Sequence, residues 1–201
     1  MTKVDAAIEI ILETTPTLSS EKVRIFDCFG RVLAQDLYAD EYIPPFDNSA
    51  MDGYAVSSTD VDGARRQHPV VLNVIEGLPA GSVAKQELKK GDAIRIMTGA
   101  PIPKGADSVV MLEKSRAEGE KVEIFESSEP GKNIRKAGED IKKGELGLRK
   151  GQIIDPVQMG ILGSMGMETV EVVKVPRVGI LATGDELLEA GGAAASGRNP
   201  S

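Results

Sequence analysis

The chain has 201 residues, of which 24 are basic and 31 acidic, and its formal net charge of -7 opposes binding to a polyanion such as nucleic acid. It contains one cysteine and one histidine, which excludes an intramolecular disulfide framework, a Cys-x-x-Cys pair and a His-Glu-x-x-His zinc site. The remaining reactive groups are carboxylates, hydroxyls, lysines and arginines, a set that suits Mg²⁺ and phosphate chemistry. The sequence has no apolar run long enough to cross a bilayer and no secretory signal pattern, so we expect a cytoplasmic protein without a membrane partner.

The first predicted element is a helix over residues 4–14, "VDAAIEIILET", because apolar residues recur at helical spacing with acids on the other face. A strand-like segment follows, in which Cys28 is interpreted as a buried structural thiol rather than a nucleophile. Between residues 70 and 126, short apolar runs alternate with turns that contain Gly or Pro. This spacing favours a small β-barrel or sandwich.

The C-terminal part of the sequence changes in character. Asp155 and Pro156 predict a short helix, with Asp155 as the N-cap and Pro156 at the first helical position. "RVGILATGDELLEA", residues 177–190, then predicts a buried strand, a tight turn and the start of a helix, which together typically open an α/β domain. One such unit cannot bury both faces of its strand, so we expect the sequence to be the front part of a longer protein.

Two polar loops in the middle of the sequence are candidates for chemistry. In "FDNSAMDGY", Asp47, Asn48 and Ser49 can fold back on the backbone as turn formers, and Asp52-Gly53 is a typical chain reversal. Turn formation explains the Asp-Asn-Ser part or the Asp-Gly part of this stretch by itself. The two parts together, directly after Pro-Pro, predict a rigid loop that presents acceptor groups to a ligand. In "RIMTGAPIPKGAD", the Thr98 hydroxyl can meet an oxyanion or a metal-bound water, although a simple Gly-Pro turn explains this stretch by itself.

Two further polar stretches follow. "PGKNIRKAGEDIKKGE" combines Lys132 and Arg135, donors suited to a phosphate, with the carboxylate of Asp140, although such a charge run is usually a solvated loop. "LATGDEL" places Thr183 and two acids where a strand meets a helix. Free helix N–H groups favour anions at such a junction, and an ordinary N-cap is the alternative explanation.

The four stretches together carry a resemblance to a known family. In their order and separations, "PPFDNSAMDGYAV", "RIMTGAPIPKGADSVVMLE", "NIRKAGEDIKKGE" and "PRVGILATGDEL" resemble the molybdopterin molybdotransferases, known as MoeA in bacteria and as the E domain of gephyrin in animals. The likeness extends from the N-terminal helix to about residue 189. It implies a transferase of molybdenum cofactor synthesis that inserts molybdate into adenylylated molybdopterin with the help of Mg²⁺ and releases AMP.

The resemblance also implies roles for individual residues. The implied catalytic residues are Asp52, Asp140 and Glu186. The implied metal ligands are Asp52, Asp140 and Asp185. The implied substrate contacts are Asn48, Ser49, Thr98, Lys132, Arg135 and Thr183. The partners implied are a second copy of the chain, which shares the site and brings Glu186 to it, and the molybdopterin adenylyltransferase.

The fold implied by the resemblance is a multidomain α+β protein. Its parts are an N-terminal helix over 1–19, a neck domain built from 20–43 and 144–169, a β-rich inserted domain over 44–143, and the start of a molybdopterin-binding α/β domain over 170–201. Because the sequence lacks most of that last domain, we expect the chain alone not to insert molybdate. Two alternatives remain open: a non-catalytic dimerisation or scaffold module of the same fold, and an unrelated Mg²⁺-dependent phosphohydrolase.

Overall fold

The computed structural model describes residues 3–181, 187–188 and 199–200, which form a mixed α+β structure dominated by strands. Its helices are α1 (Val4–Thr14) and α2 (Pro156–Ser164). Its strands are β1 (Ser20–Arg24), β2 (Leu37–Tyr38), β3 (Asn48–Ser49), β4 (Gly53–Val56), β5 (Arg65–Leu78), β6 (Asp92–Ile96), β7 (Ser108–Met111), β8 (Ser115–Glu118), β9 (Lys121–Glu126), β10 (Ile134–Arg135), β11 (Leu146–Leu148), β12 (Thr169–Val173), β13 (Leu187–Leu188) and β14 (Asn199–Pro200).

The largest unit is a six-stranded sheet that curls into a half-barrel, with strand order β7-β4-β6-β5-β9-β8. All neighbouring strands are antiparallel except β5 and β6, which are parallel. The prediction of a β-rich region is thus confirmed. Strand β5 begins at Arg65, earlier than the apolar pattern predicts, because Arg65 still pairs with Glu126 across an irregular stretch of the ladder.

Side chains on the two faces of this sheet enter two separate cores, as the two-residue period of a strand requires. In β4, Tyr54 and Val56 join one core, while Ala55 between them joins the other. In β7, Val110 and Val109 divide in the same way. Burial of a valine side chain contributes about 1.5–3 kcal/mol, and each core contains a valine of β7, so both faces stabilise the sheet.

Gly53 is required where β4 pairs with β7. A Cβ atom at this position would lie 2.0 Å from the carbonyl oxygen of Val110, which belongs to the backbone and cannot move aside alone. The absence of a side chain at Gly53 therefore permits the pairing of β4 with β7, and this pairing fixes where the preceding loop ends.

A third core joins segments that are distant in sequence. Strand β1 pairs with β12, and β2 pairs with β11, both antiparallel. The buried residues of this core are Cys28, Leu33, Leu37, Leu148, Ile154, Leu162, Val170 and Val172. The burial of Cys28 agrees with its interpretation as a structural thiol. This burial also raises the pKa of the thiol above the ordinary value. The domain boundaries themselves remain a prediction.

Helix α2 begins as predicted. The Asp155 carboxylate accepts hydrogen bonds from the backbone N–H groups of Val157 and Gln158, and the Gln158 side chain accepts in return from the Asp155 N–H group. Pro156 occupies the first helical position. This capping box satisfies N–H groups that have no partner inside the helix.

Helix α1 also has the predicted bounds, but none of its residues is buried. Neither described helix is long and apolar enough to span a membrane. Residues 174–181 form no strand, and Val178, Ile180 and Leu181 are 79%, 94% and 86% exposed, so the predicted buried strand is wrong within the described residues. A parallel strand needs neighbours on both sides, and the described residues provide none here.

The helix predicted after that strand is also not observed at residues 187–188. This pair of residues forms β13, which is parallel to β14. The rest of the predicted turn and helix lies outside the described residues.

Candidate active site

The short strand β3 lies at the centre of the candidate site, between two of the polar loops. On one side, the Ser49 N–H group donates to the Ala100 carbonyl at 2.9 Å, and Gly99 donates to the Ser49 carbonyl at 2.8 Å. On the other side, β3 pairs with β10, so that Arg135 lies opposite Asn48 and Ile134 opposite Ser49. Three of the four predicted polar stretches therefore meet through backbone hydrogen bonds.

Asp52 and Thr98 are joined directly. The Oδ1 atom of Asp52 accepts from both the backbone N–H group and the hydroxyl of Thr98, each at 2.7 Å. Both residues are exposed, so the pair faces solvent. The two hydrogen bonds from Thr98 stabilise the charged form of Asp52 and hold its carboxyl pKa below the ordinary value.

The loop that follows β10 forms an ionic cluster. The Arg135 guanidinium donates to Glu139 at 2.7 Å and to Asp140 at 2.6 Å. These contacts raise the pKa of Arg135, and the Arg135 hydrogen bond lowers the pKa of Glu139. Because an arginine side chain has five N–H donors, the guanidinium keeps donors for a further anion.

Asp47 ties this loop to the start of β3. Its carboxylate accepts from the Lys136 ammonium at 2.7 Å and from the Ala137 N–H group at 2.9 Å. The hydrogen bond from Lys136 is the main cause that lowers the pKa of Asp47. Asp47 was not among the predicted site residues, and the signal for it was the pair of acids that frames "FDNSAMDGY".

Lys132 points to a different group. Its ammonium donates to Glu126 at 2.7 Å, and Lys114 contacts the same carboxylate at 2.9 Å. These two lysines lower the pKa of Glu126. No described contact joins Lys132 to Arg135. Although the two cations are close in the sequence, they do not share a cluster in the described part of the chain.

Asn48 and Ser49 shape the loop from within. Asn48 is 5% exposed and donates to the Phe46 carbonyl, while Ser49 is fully buried and donates to the Met51 carbonyl at 2.5 Å. Their side chains thus satisfy local backbone groups, as turn-forming residues do. Contact between Ser49 and a substrate would require this loop to open.

The remaining predicted residues divide into two groups. Asp140 contacts Arg135, and no hydrogen bond or ion pair in the described ranges links it to Asp52 or Thr98. Thr183, Asp185 and Glu186 lie outside the described residues. Among the described residues there is also no group of three or more His, Cys, Asp or Glu side chains that could hold a metal ion.

The arrangement defines a class of protein in which exposed carboxylates, a hydroxyl and an arginine are held on loops of a β-rich scaffold. A family model described as "MoeA N-terminal region (domain I and II)" matches residues 2–166. The chain therefore belongs to the MoeA family. The matched region contains β3, the Thr98 turn and the Arg135 loop.

Curated relatives agree with this assignment. The chain is 42% identical over 189 residues to the molybdopterin molybdenumtransferase of Bacillus subtilis, covering 92% of this chain and 44% of that protein. It is 43% identical over 162 residues to molybdopterin molybdenumtransferase 2 of Mycobacterium tuberculosis, covering 81% of this chain and 40% of that protein. The chain thus spans less than half the length of these relatives.

A solved structure supports the fold as well. The molybdopterin biosynthesis MoeA protein from Pyrococcus horikoshii OT3 is similar with a TM-score of 0.83 and 44% sequence identity, and the match covers 92% of this chain and 49% of that one. The predicted multidomain α+β class is therefore confirmed for this family member.

Proposed function

We propose that the chain supplies the MoeA N-terminal region to a molybdopterin molybdotransferase of molybdenum cofactor synthesis, an activity that inserts molybdate into adenylylated molybdopterin with release of AMP. The observation that carries this proposal is that the family match over residues 2–166 includes all three loops that meet at β3. The names of the relatives support the cofactor pathway and the transferase class. Because the chain spans less than half of those relatives, the activity of the whole protein is part of the proposal.

The described residues would act on the phosphate end of the substrate. Arg135, held in place by Glu139 and Asp140, would offset negative charge on the pyrophosphate with its remaining donors. Thr98, fixed by Asp52, would orient an oxygen of the substrate. Lys132, which lies in the turn before β10 and contacts Glu126, would add positive charge for the substrate phosphates from that side.

Mg²⁺ is the cofactor we propose, and the donor set fits its usual mode of binding. Mg²⁺ keeps several waters and uses one or two carboxylates together with substrate phosphates, so a cluster of three protein acids is not required. Asp52 is exposed, and in the described contacts only its Oδ1 atom accepts a hydrogen bond. Asp52 would hold the ion, with Asp140 or Asp185 as the second carboxylate once the substrate phosphates are in place. Bound there, Mg²⁺ would neutralise charge on the pyrophosphate.

We further propose that two copies of the chain form a homodimer with a shared site. Thr183 and Glu186, which the family resemblance brings to the site, would approach the loops around β3 from the second protomer. The molybdopterin adenylyltransferase is the protein partner that would deliver the substrate. A purely scaffolding role is the alternative, and binding experiments distinguish it from the transferase role. Family membership gives no support to the other alternative, an unrelated phosphohydrolase.

Isothermal titration of the chain with adenylylated molybdopterin, with and without Mg²⁺, tests the proposal. We expect saturable binding that Mg²⁺ strengthens and that Arg135→Gln weakens about tenfold, since a charge-assisted contact to phosphate is lost. Arg149→Gln is the matched control, because Arg149 is exposed and its side chain has no described ion pair. Absence of binding at millimolar ligand, or equal loss in both variants, would contradict the proposal.

A further inference from the structure

The two edges of the six-stranded sheet differ. At the β7 edge, the Val109 N–H group donates to the Lys132 carbonyl at 3.0 Å and the Asn133 side chain donates to the Val109 carbonyl at 2.8 Å, so a neighbouring segment covers this edge. Strand β8 forms the other edge, and none of the described backbone hydrogen bonds joins it to a segment other than β9. Residues 116–118 of this strand are exposed. The β8 edge therefore presents backbone groups without a partner strand.

The loop between β8 and β9 decides which of these groups point outward. This two-residue loop, residues 119–120, joins Glu118 to Lys121, which pair with each other, and its glycine has a φ of 60° that suits the first position of such a loop. The two closing residues hydrogen-bond to each other, and hydrogen-bonded pairs alternate with open pairs along an antiparallel ladder. Glu118 and Arg116 thus bond to β9, whereas the N–H and C=O groups of Ala117 point to the open edge.

The charges along this segment are complementary to those of a second copy. In "EKSRAEGEK", residues 113–121, each charged residue has the opposite charge at the position equally far on the other side of Ala117. The three pairs of positions are 116 with 118, 114 with 120, and 113 with 121. Two antiparallel copies of β8 related by a two-fold axis at Ala117 would therefore bring opposite charges together.

The neighbouring registers do not have this property. A two-fold axis at Arg116 or at Glu118 also keeps the outward backbone groups facing each other, but it places two arginines or two glutamates directly opposite. Like charges at such a pair destabilise it. Charged side chains on a sheet edge ordinarily prevent pairing with other strands. This segment therefore excludes most partners and is complementary to its own copy in one register.

The side chains at the edge have the capacity for these contacts. Arg116 contacts Glu123 at 2.6 Å within its own sheet, and a guanidinium has five N–H donors, so donors remain for a second carboxylate. Glu118 is exposed and has no ion pair in the described part of the chain. If the two Ala117 residues exchange hydrogen bonds, Arg116 of one copy faces Glu118 of the other at an open pair, where cross-strand side chains lie closest.

We propose that the β8 edge pairs with the β8 edge of a second copy of the chain, antiparallel and about a two-fold axis at Ala117, which joins two half-barrel sheets into one. Four residues form a small interface, so this association is weak. Strand β8 contains none of the candidate-site residues. The contact is therefore separate from the shared site proposed above and does not depend on the transferase activity. If the chain also dimerises at the shared site, the β8 contact joins those dimers to one another.

Sedimentation equilibrium of the whole chain between about 10 µM and about 1 mM measures this weak association. We expect the average mass to rise with concentration, and to rise less in added salt because salt screens exposed charges. Two-dimensional NMR over the same concentrations should show shifts of the backbone amides at residues 115–119. A constant mass, or spectra in which residues 115–119 do not change, would overturn the proposal.

Exchange of the two charges tests the register. Arg116→Glu and Glu118→Arg each place like charges opposite one another, so each should lower the association about tenfold or more. The double variant that carries both substitutions restores opposite charges and should associate within about threefold of the wild type. An equimolar mixture of the two single variants should form mixed pairs for the same reason. Loss in the single variants without recovery in the double variant and in the mixture would overturn the two-fold pairing.

Two further variants separate the edge from general effects of charge. Arg149→Glu, at an exposed position without a described ion pair, changes the net charge as Arg116→Glu does and should associate within about twofold of the wild type. Ala117→Pro keeps every charge but removes the outward N–H group, so it should lower the association about tenfold or more while the sheet stays folded. A dispersed NMR spectrum establishes that each variant is folded. Equal association of folded Ala117→Pro and the wild type would contradict pairing through β8.

Discussion

One carboxylate oxygen of Asp52 holds Thr98 by two hydrogen bonds, from the backbone N–H group and from the side-chain hydroxyl, although the two residues are 46 positions apart in the sequence. The contact links the loop after β3 to the turn after β6. The same aspartate is our proposed Mg²⁺ ligand, so it has a structural and a chemical role that mutations can separate.

Asp52→Asn tests this separation. The amide oxygen can still accept from Thr98, so we expect the Thr98 amide signal in NMR spectra to move little. The lost charge should weaken Mg²⁺-dependent binding of adenylylated molybdopterin about tenfold or more. Asp62→Asn, at an exposed position without a described side-chain hydrogen bond, is the control for charge alone. Unchanged binding in Asp52→Asn would exclude Asp52 as a ligand.

The Asp47–Lys136 contact predicts a dependence of stability on pH. The pKa of Asp47 is lowered in the folded state, so its contribution is present above the ordinary carboxyl pKa of about 4 and is lost as the pH falls through the folded-state value. Asp47→Asn should therefore lose less stability than the wild type between pH 7 and pH 3. Urea unfolding at both pH values measures the difference.

Asp62→Asn, at an exposed position without a described side-chain hydrogen bond, is again the control for the substitution itself. If Asp47→Asn and the wild type lose equal stability on acidification, the exposed Asp47–Lys136 pair contributes nothing measurable, as many surface ion pairs do not.

Gly53→Ala should destabilise the sheet. The new methyl group would lie 2.0 Å from the Val110 carbonyl oxygen, so β4 and β7 must separate, at a cost of about 3 kcal/mol or more. Gly77→Ala in β5 is the matched control, because no atom lies within 4 Å of its added Cβ. Chemical denaturation should show a change within about 1 kcal/mol for the control. Similar stability of the two variants would contradict the close approach at Gly53.

Two adjacent isoleucines test the third core. Ile154 is fully buried and Ile153 is 64% exposed. Ile154→Ala should lower the free energy of unfolding by about 2–5 kcal/mol, whereas Ile153→Ala should change it by about 0.5 kcal/mol or less. Comparable losses measured by urea unfolding would mean that the segment around these residues packs differently.

A mixture of two variants tests the shared site. Asp140→Ala and Glu186→Ala chains should each bind adenylylated molybdopterin weakly. If each site combines Asp140 of one protomer with Glu186 of the other, random exchange should restore about a quarter of the sites, because half of the dimers are mixed and each has one intact site. Calorimetry of the equilibrated mixture measures this recovery. No recovery despite subunit exchange, verified by mass spectrometry of differently labelled chains, would contradict a shared site.

The sequence predicts local structure better than contacts between distant segments. Helix α1, the capping box at Asp155 and most strands of the half-barrel follow from periodicity and turn chemistry, which act over a few residues. The position of β3 between residues 99–102 and β10 does not follow from such patterns, because it depends on how the whole sheet closes.

The candidate site divides in the same way. The motifs identified Asp52, Thr98 and Arg135 as polar loop residues, but not the direct contact of Asp52 with Thr98. The ion pair between Asp47 and Lys136, 89 positions apart, was not predicted either, since no local pattern encodes such a distance. Closeness in the sequence does not ensure a shared contact either. Lys132 is three positions from Arg135, but it contacts Glu126, whereas Arg135 contacts Asp140.

The pairing of β1 with β12 affects how the chain folds during synthesis. Arg24 pairs with Thr169, so β1 has no partner until about 145 further residues have been made, roughly 7–30 seconds at about 5–20 residues per second. The strands of the half-barrel emerge from the ribosome within that interval and can pair first. Newly made chains therefore carry an unpaired β1 and an unburied Cys28 segment until β12 emerges. Substitutions in this third core should reduce the yield of folded protein through aggregation during synthesis.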